Sequence, residues 1–385
     1  MVPISYNIRS LGVRKATTFA TIFGIGLVVF VLASALMMVE GVKTALRTGG
    51  RADNALVMKL GTDMEGASFI AKQDAEKVKV LPGVKRDPAP LVESRGSLML
   101  QKAGTKEFAS IALRGTELDK LVAFRPETKI IEGRAPKAGT NEAMMGKNLA
   151  NRFAELQLGK PFELTANKTA DIVGIFSDNG SSHESEIYLD GDLVSKSFLG
   201  GDAVTAISVR LESAAAFDGF KAAVEGDKDL KCMAVRESEW FQRMSEGLAG
   251  LLGFIGGLIS VFLSVGAMIG AMITMYSAVA NRQREIGTLR ALGFGRMNIL
   301  MSFLFESLVI TLAGGFLGGV ASLAMSFVKI SMPNERSWSE VVFKFQPTPQ
   351  ILVTALVVAG IMGILGGFLP AIRAARVSAL SALRA

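Results

Sequence analysis

A chain of 385 residues that is 50% hydrophobic and 20% charged, with mean hydropathy +0.38, is too apolar for an ordinary globular enzyme and too charged for a bundle lying wholly in a membrane. One Cys and one His exclude a disulfide framework, a Cys/His zinc centre and a Cys–His nucleophilic pair within the chain. The net charge of +7, from 42 Lys and Arg against 35 Asp and Glu, is unevenly spread, and its distribution carries the topology.

In chain order, a basic N-terminal segment, residues 1–15, precedes an apolar run over 16–39 that is long enough to cross about 30 Å of hydrocarbon as a helix. Ala33-Ser34-Ala35 resembles a signal-peptide cleavage site, but the apolar run continues to Val39, which favours a retained helix. Residues 40–246 hold 29 basic and 31 acidic residues and read as a soluble insert. Its patterning predicts a strand over 55–60 and a helix over 68–80 that Leu81-Pro82-Gly83-Val84 ends. Strands are predicted over 97–101, 108–113, 171–176 and 186–189, with a helix over 141–158. A strand-helix-strand unit over 205–211, 214–224 and 231–235 closes the insert. Together these make an α+β domain, one part built from both ends of the insert and a β-rich part from its middle. His183, in the Gly/Ser-rich string Asn179 to Glu184, reads as a solvated loop residue, and Ser181 and Ser182 lack a nucleophile elbow.

Residues 247–280 are again apolar, and as one helix would reach roughly 51 Å, beyond the hydrocarbon core. The polar approach 237–246 also reads as helix, so the excess is expected to protrude on the insert's side, with Trp240 and Phe241 near the interface. A charged loop, 281–296, is followed by an apolar run over 297–328, a short loop over 329–346, a last apolar run over 347–372 and a basic tail over 373–385. The expected fold is therefore four transmembrane helices plus a large α+β domain inserted between the first two. Glu306 is the one charge within these runs and is expected at a helix end or facing protein. Small residues spaced four apart, Gly266 and Gly270, Gly314 and Gly318, and Gly363 and Gly367, are expected to let helices pack closely.

Arg9, Arg14 and Lys15, then Arg282, Arg284, Arg290 and Arg296, then Arg373, Arg376 and Arg384 stand against one acid, Glu285. The positive-inside rule makes these three segments cytoplasmic, with both termini inside and the insert outside the inner membrane. The basic balance thus reports orientation in a lipid bilayer, not nucleic-acid binding. No line of ionisable side chains crosses the helices as a hydrophilic pore requires. Nor does the chain hold a phosphate-cradling loop: Gly146-Lys147 and Gly159-Lys160 are followed by Asn148 and Pro161. No metal or cofactor is expected on it.

The loop from Asn281 to Gly293 interleaves charges with Ile286, Leu289 and Leu292 at helical spacing, an amphipathic segment at the membrane face. Its core, Arg284-Glu285-Ile286-Gly287 followed by Arg290-Ala291 and Gly293, strongly resembles the signature loop of FtsX-like permeases, the MacB/LolC/FtsX class of ABC transporter subunits. Glu306 with the glycines 314–319, Leu369-Pro370-Ala371, the closing Ala382-Leu383-Arg384, and Leu81-Pro82-Gly83-Val84 are similar to further parts of that class. The second proline usual before the final Ala-Leu-Arg is missing at 378–381.

The resemblance implies that Arg282, Arg284, Glu285, Ile286, Gly287, Leu289, Arg290, Ala291 and Gly293 dock on a cytoplasmic ABC ATPase. It also implies that ATP and Mg2+ are held by that partner, which is expected as a separate chain. A second permease chain, most simply an identical one, completes such a unit, and the resemblance to MacB-type exporters implies a periplasmic adaptor and an outer-membrane factor. ATP-driven closure would then move the outside domains by mechanotransmission, without passage through the helices. A lipoprotein-releasing permease like LolC/LolE and an FtsX-like signalling subunit share the layout. The size of the 40–246 insert speaks against the latter.

Overall fold

The computed structural model describes residues 15–334 and 339–377; Arg9, Arg14, Arg384 and the Ala382-Leu383-Arg384 motif lie outside them. The first helix, α1 (Lys15–Arg47), outlasts its apolar run by about two turns. Strand β1 (Asn54–Lys59), a short β2 (Ile70–Ala71) and helix α2 (Lys72–Lys79) follow. Then come β3 (Leu91–Gln101), β4 (Phe108–Thr116), α3 (Leu118–Phe124), β5 (Lys129–Gly133) and β6 (Glu142–Gly146). Next are β7 (Pro161–Thr165), β8 (Lys168–Ser177), β9 (Glu186–Asp190) and α4 (Gly191–Phe198), whose N-cap Asp190 accepts from the Asp192 and Leu193 amides. The insert closes with β10 (Ala203–Val204), β11 (Ala206–Arg210), α5 (Phe217–Gly226) and β12 (Cys232–Arg236). Helix α6 (Glu237–Asn281), the short α7 (Gln283–Ala291) and α8 (Arg296–Ser322) lead to a hairpin, β13 (Lys329–Asn334) and β14 (Ser339–Lys344), and to α9 (Pro349–Ala375).

The chain divides into two compact units, one of membrane-type helices and one holding the insert with the β13–β14 hairpin. In the insert, strands run in the order β12-β1-β11-β3-β4-β9-β6-β8-β5, with β7 against β8. Most neighbours are antiparallel; β4 with β9 and β6 with β8 are parallel. Both ends of the insert supply one core, in which Val57, Ile207 and Val209 meet Val78 of α2 and Phe220 and Val224 of α5. The middle supplies another, with Ile111, Leu113, Phe153, Phe162, Ile172 and Ile187. Alternation along the strands puts these side chains on one face and explains why both halves close without a disulfide; Cys232 is buried and free.

Several expectations need correction here. The helix expected over 141–158 is strand β6 followed by tight turns. Leu149, Phe153 and Leu156 keep helical spacing and are buried, but Asn151 has φ +62°, which a continuing helix cannot accommodate. Strand β6 is paired on both edges and fully buried from Ala143 to Gly146, so sheet pairing overrides the helix preference of Ala and Met. The helix expected over 68–80 starts later, at Lys72, because Ile70 and Ala71 pair with β10. The 329–346 segment is a hairpin rather than a plain loop; Glu340 pairs with Lys102 at 2.8 Å and with Arg152, and the Val342 amide donates to Ser185 Oγ. Trp240 and Phe241 do not sit at a lipid interface: they are buried with Leu56, Met58 and Val235 on the face of the sheet opposite α5.

His183 is likewise no solvated residue. Its ring is 1% exposed, with Nδ1 at 3.2 Å from both Glu186 Oε2 and the Tyr188 hydroxyl, and Phe241 packs edge-on against it. The string 178–185 is drawn inward because Glu184 Oε1 collects the amides of Asp178 and Gly180 and the Ser177 hydroxyl, and meets Lys147 at 2.8 Å.

Among the described residues, four helices are long and apolar enough to cross a membrane: α1, α6, α8 with its 3-10 extension to Phe327, and α9. At 45 residues, α6 would span about 68 Å, more than twice the hydrocarbon core. Helix α9 is punctuated as physics demands, with Thr348 capping the Ile351 amide and Pro349 in its first turn.

Candidate functional site

Helix α7 is set between two stops. Arg282, at φ −113° and ψ 17°, interrupts the helical ladder after Asn281. At the other end Gly293 takes φ +92°, its amide donating to the Arg290 carbonyl and that of Phe294 to Leu289, the paired hydrogen bonds of a Schellman stop. Glycine is needed there because a side chain disfavours positive φ.

The residues expected to dock fall on two faces. Ile286 and Gly287 are buried, Ile286 among Met275, Val279, Ile299, Phe303, Ala371 and Ala374 from the three surrounding helices. Arg282 is also buried, its Nε at 2.9 Å from Glu285 Oε2 and its Nη1 at 3.1 Å from Glu306 Oε2, with the guanidinium 5.5 Å from the Phe303 ring centroid. These three residues therefore pack α7 against the neighbouring helices of the same chain. Arg284, Glu285 and Ala291 are exposed, as are Thr288 and Gly293, while Leu289 and Arg290 are half-buried. The apolar stripe splits: Ile286 points inward, and Leu292 stands 72% exposed beside the outward charges. An exposed leucine flanked by Arg and Glu is a small amphipathic contact surface. Glu306, at 6% exposure, faces protein and is paired, so it carries no unmatched charge.

The glycines differ in role. A Cβ at Gly314 would lie 2.7 Å from the Ile22 carbonyl oxygen, and one at Gly318 would collide with Gly26, so α8 and α1 touch backbone to backbone. A Cβ at Gly363 would collide with Thr311, and one at Gly367 would come within 2.6 Å of Ser307, closing α9 on α8; Ser307 donates to the Gly363 carbonyl at 2.7 Å. Gly266 and Gly270 line an open groove of about 440 Å³ between α1 and α6, with Gly24 and Ala267, and a Cβ on either would meet nothing within 4 Å among the described residues.

Sequence reasoning missed a buried ion network in the insert. Arg114 on β4 reaches Glu65 at 2.9 Å, Glu93 at 2.6 Å and Glu186 at 2.7 Å, and Arg95 adds contacts to Glu65 and Glu186. Burial alone would raise the Glu186 and Glu65 carboxyls, but the neighbouring guanidiniums outweigh it and hold Glu65 low and Glu186 well below the usual carboxylate range. Beside it, Glu237 binds Arg125 at 2.7 Å and the Asn54 amide at 2.7 Å, tying the first turn of α6 to β1 and to the end of α3. The signal was present as charges at inward positions of apolar strands, Glu93 and Arg95 in β3 and Arg114 in β4.

Four membrane-type helices enclosing a large α+β insert, with a short amphipathic helix after the second, define a membrane permease architecture. Residues 18–226 match the family model of the MacB-like periplasmic core domain, and residues 257–379 that of the FtsX-like permease C-terminal region; the chain belongs to this family of ABC transporter permeases. Among its relatives is the macrolide export ATP-binding/permease protein MacB of Photorhabdus laumondii, 25% identical over 97% of this chain and 59% of that protein. Another is the uncharacterized ABC transporter permease YknZ of Bacillus subtilis, 31% identical over 52% of this chain and 49% of that one. The chain thus spans 59% and 49% of the length of these two relatives. The crystal structure of the periplasmic region of MacB from Actinobacillus actinomycetemcomitans aligns with 51% of this chain and 94% of that one, at 15% identity and TM-score 0.38.

Proposed function

We propose that this chain is the permease part of a MacB-like exporter, in which ATP hydrolysis by a cytoplasmic ABC ATPase drives the extracytoplasmic domain by mechanotransmission. The observation that carries the reading is the outward face of α7, with Arg284, Glu285, Arg290 and Leu292, placed directly after a 45-residue helix that begins in the insert's ion network and ends at the docking helix. A helix of that length is a lever arm, since its hydrogen bonds resist compression along the axis. Arg282, Arg284, Arg290 and Arg296 together with Arg373 and Arg376 support a cytoplasmic α7 by the positive-inside rule, with the insert on the other side. ATP and Mg2+ belong to the ATPase, and the chain itself performs no chemistry.

A second copy of the chain is the natural partner in the membrane, and an adaptor with an outer-membrane factor would complete an export path. The match of residues 18–226 to a MacB-like periplasmic core is compatible with the export reading. The test is purification of the full chain with the ATPase that accompanies it. Leu292→Glu and Arg284→Glu are expected to lower the bound ATPase at least about fivefold, as loss of contacts worth about 1 kcal/mol each requires. Unchanged ATPase recovery from both variants would refute the docking role.

A further inference from the structure

Glu306 has no part in the docking face, yet it is a buried carboxylate on a membrane-type helix, a placement that is costly without a reason. Its partner, Arg282, is the one residue between α6 and α7, with a backbone that belongs to neither helix. From that corner the guanidinium reaches two carboxylates, Glu285 within α7 and Glu306 on α8, and lies over the ring of Phe303, one turn before Glu306. Ile286, one turn beyond Arg282, enters the same pocket beside Ile299 and Phe303. The corner is thus joined to α8 by a charge pair inside an apolar collar.

We propose that Arg282 and Glu306 are positioning residues that lock the docking helix to the third membrane helix, so that force on α7 is delivered to α8 as well as to α6. This rests on the docking reading of α7 and deepens it by assigning Arg282, whose burial removes it from the contact face, to the inner side of the coupling. The apolar contacts of Ile286 resist separation but have no preferred direction, whereas the ion pair also fixes rotation of α7 about its axis. Because both charges are shielded from water, the neutral isostere Glu306→Gln loses the lock while keeping the shape. It leaves the Arg282–Glu285 pair at 2.9 Å in place.

The experiment uses the full chain with its co-purifying ATPase in lipid nanodiscs. Hydrogen exchange over residues 283–291 reads the lock, and stimulation of ATP turnover reads the coupling. Glu306→Gln and Arg282→Glu are each expected to speed exchange there about tenfold, as a lost local tether allows local opening. They are expected to reduce stimulation about fivefold while the ATPase stays bound. The double variant Arg282→Glu/Glu306→Arg restores opposite charges across the corner, and both readouts should return to within about twofold of the unaltered protein, a rescue that a purely steric role would not give. If Glu306→Gln changes neither readout while Leu292→Glu uncouples, docking stands and the lock is overturned. If neither variant alters turnover, docking itself has failed and the lock falls with it.

Discussion

Replacing Arg114 by Met keeps the length and the apolar stem of the side chain but removes the charge that meets Glu65, Glu93 and Glu186. All four residues are at most 5% exposed, so the carboxylates cannot recover the loss by hydration. Breaking a buried pair in this way costs about 3–5 kcal/mol. Arg95 still serves Glu65 and Glu186, and Ser208 still donates to Glu93, which places the expected loss near about 3 kcal/mol, roughly a hundredfold in the folding equilibrium of the insert. Pulse proteolysis of the full chain across a urea series, at pH 7.5 and pH 5, measures it. The sign of the pH effect follows from the depressed carboxyls. In the unaltered protein the stability from Glu65 and Glu186 is present above the unfolded carboxylate value of about 4.3 and is lost as pH falls through their lower folded values. In the variant the buried carboxylates accept protons more readily, so its deficit should narrow between pH 7.5 and pH 5. Equal protection at pH 7.5, or a deficit that widens on acidification, would refute the reasoning.

Three further substitutions probe other joints. Gly318→Val should sharply lower the yield of folded protein by size-exclusion in detergent, because its Cβ would strike the Gly26 backbone, whereas Gly266→Ala, with open space around it, should fold normally. Glu340→Ala removes the acceptor for Lys102 and Arg152 and should release the β13–β14 hairpin at a cost of about 1.5–3 kcal/mol. Faster tryptic cleavage within 329–346, with an unchanged pattern elsewhere in the insert, is the expected outcome.

What the sequence made legible was whatever rests on long, one-dimensional patterns. Apolar runs located α1, α6, α8 and α9 because a membrane helix satisfies its own backbone and is recognisable from composition alone. The segment 281–293 is legible through Gly293 and the spacing of its charges, but which of its residues face inward depends on α8 and α9, and no local signal places Ile286 inside and Leu292 outside. The insert was read less well where tertiary pairing overrides local preference. Strand β5 is exposed throughout and has no alternation to detect, and β6 is made of helix-favouring residues held by two neighbours. His183 was misplaced because a Gly/Ser-rich string ordinarily stays in water, and only the buried carboxylate of Glu184 pulls it in. Trp240 and Phe241 were misplaced for a related cause: amphipathic aromatics suit a sheet face as well as a bilayer edge.

Hydrogen exchange of residues 48–236 in the complex of the full chain with its ATPase, compared with and without ATP and Mg2+, tests the lever most directly. A nucleotide-dependent change in protection of the insert, abolished by Leu292→Glu, is the result the account predicts. Steady ATP turnover with an insert whose exchange never responds to nucleotide would contradict it.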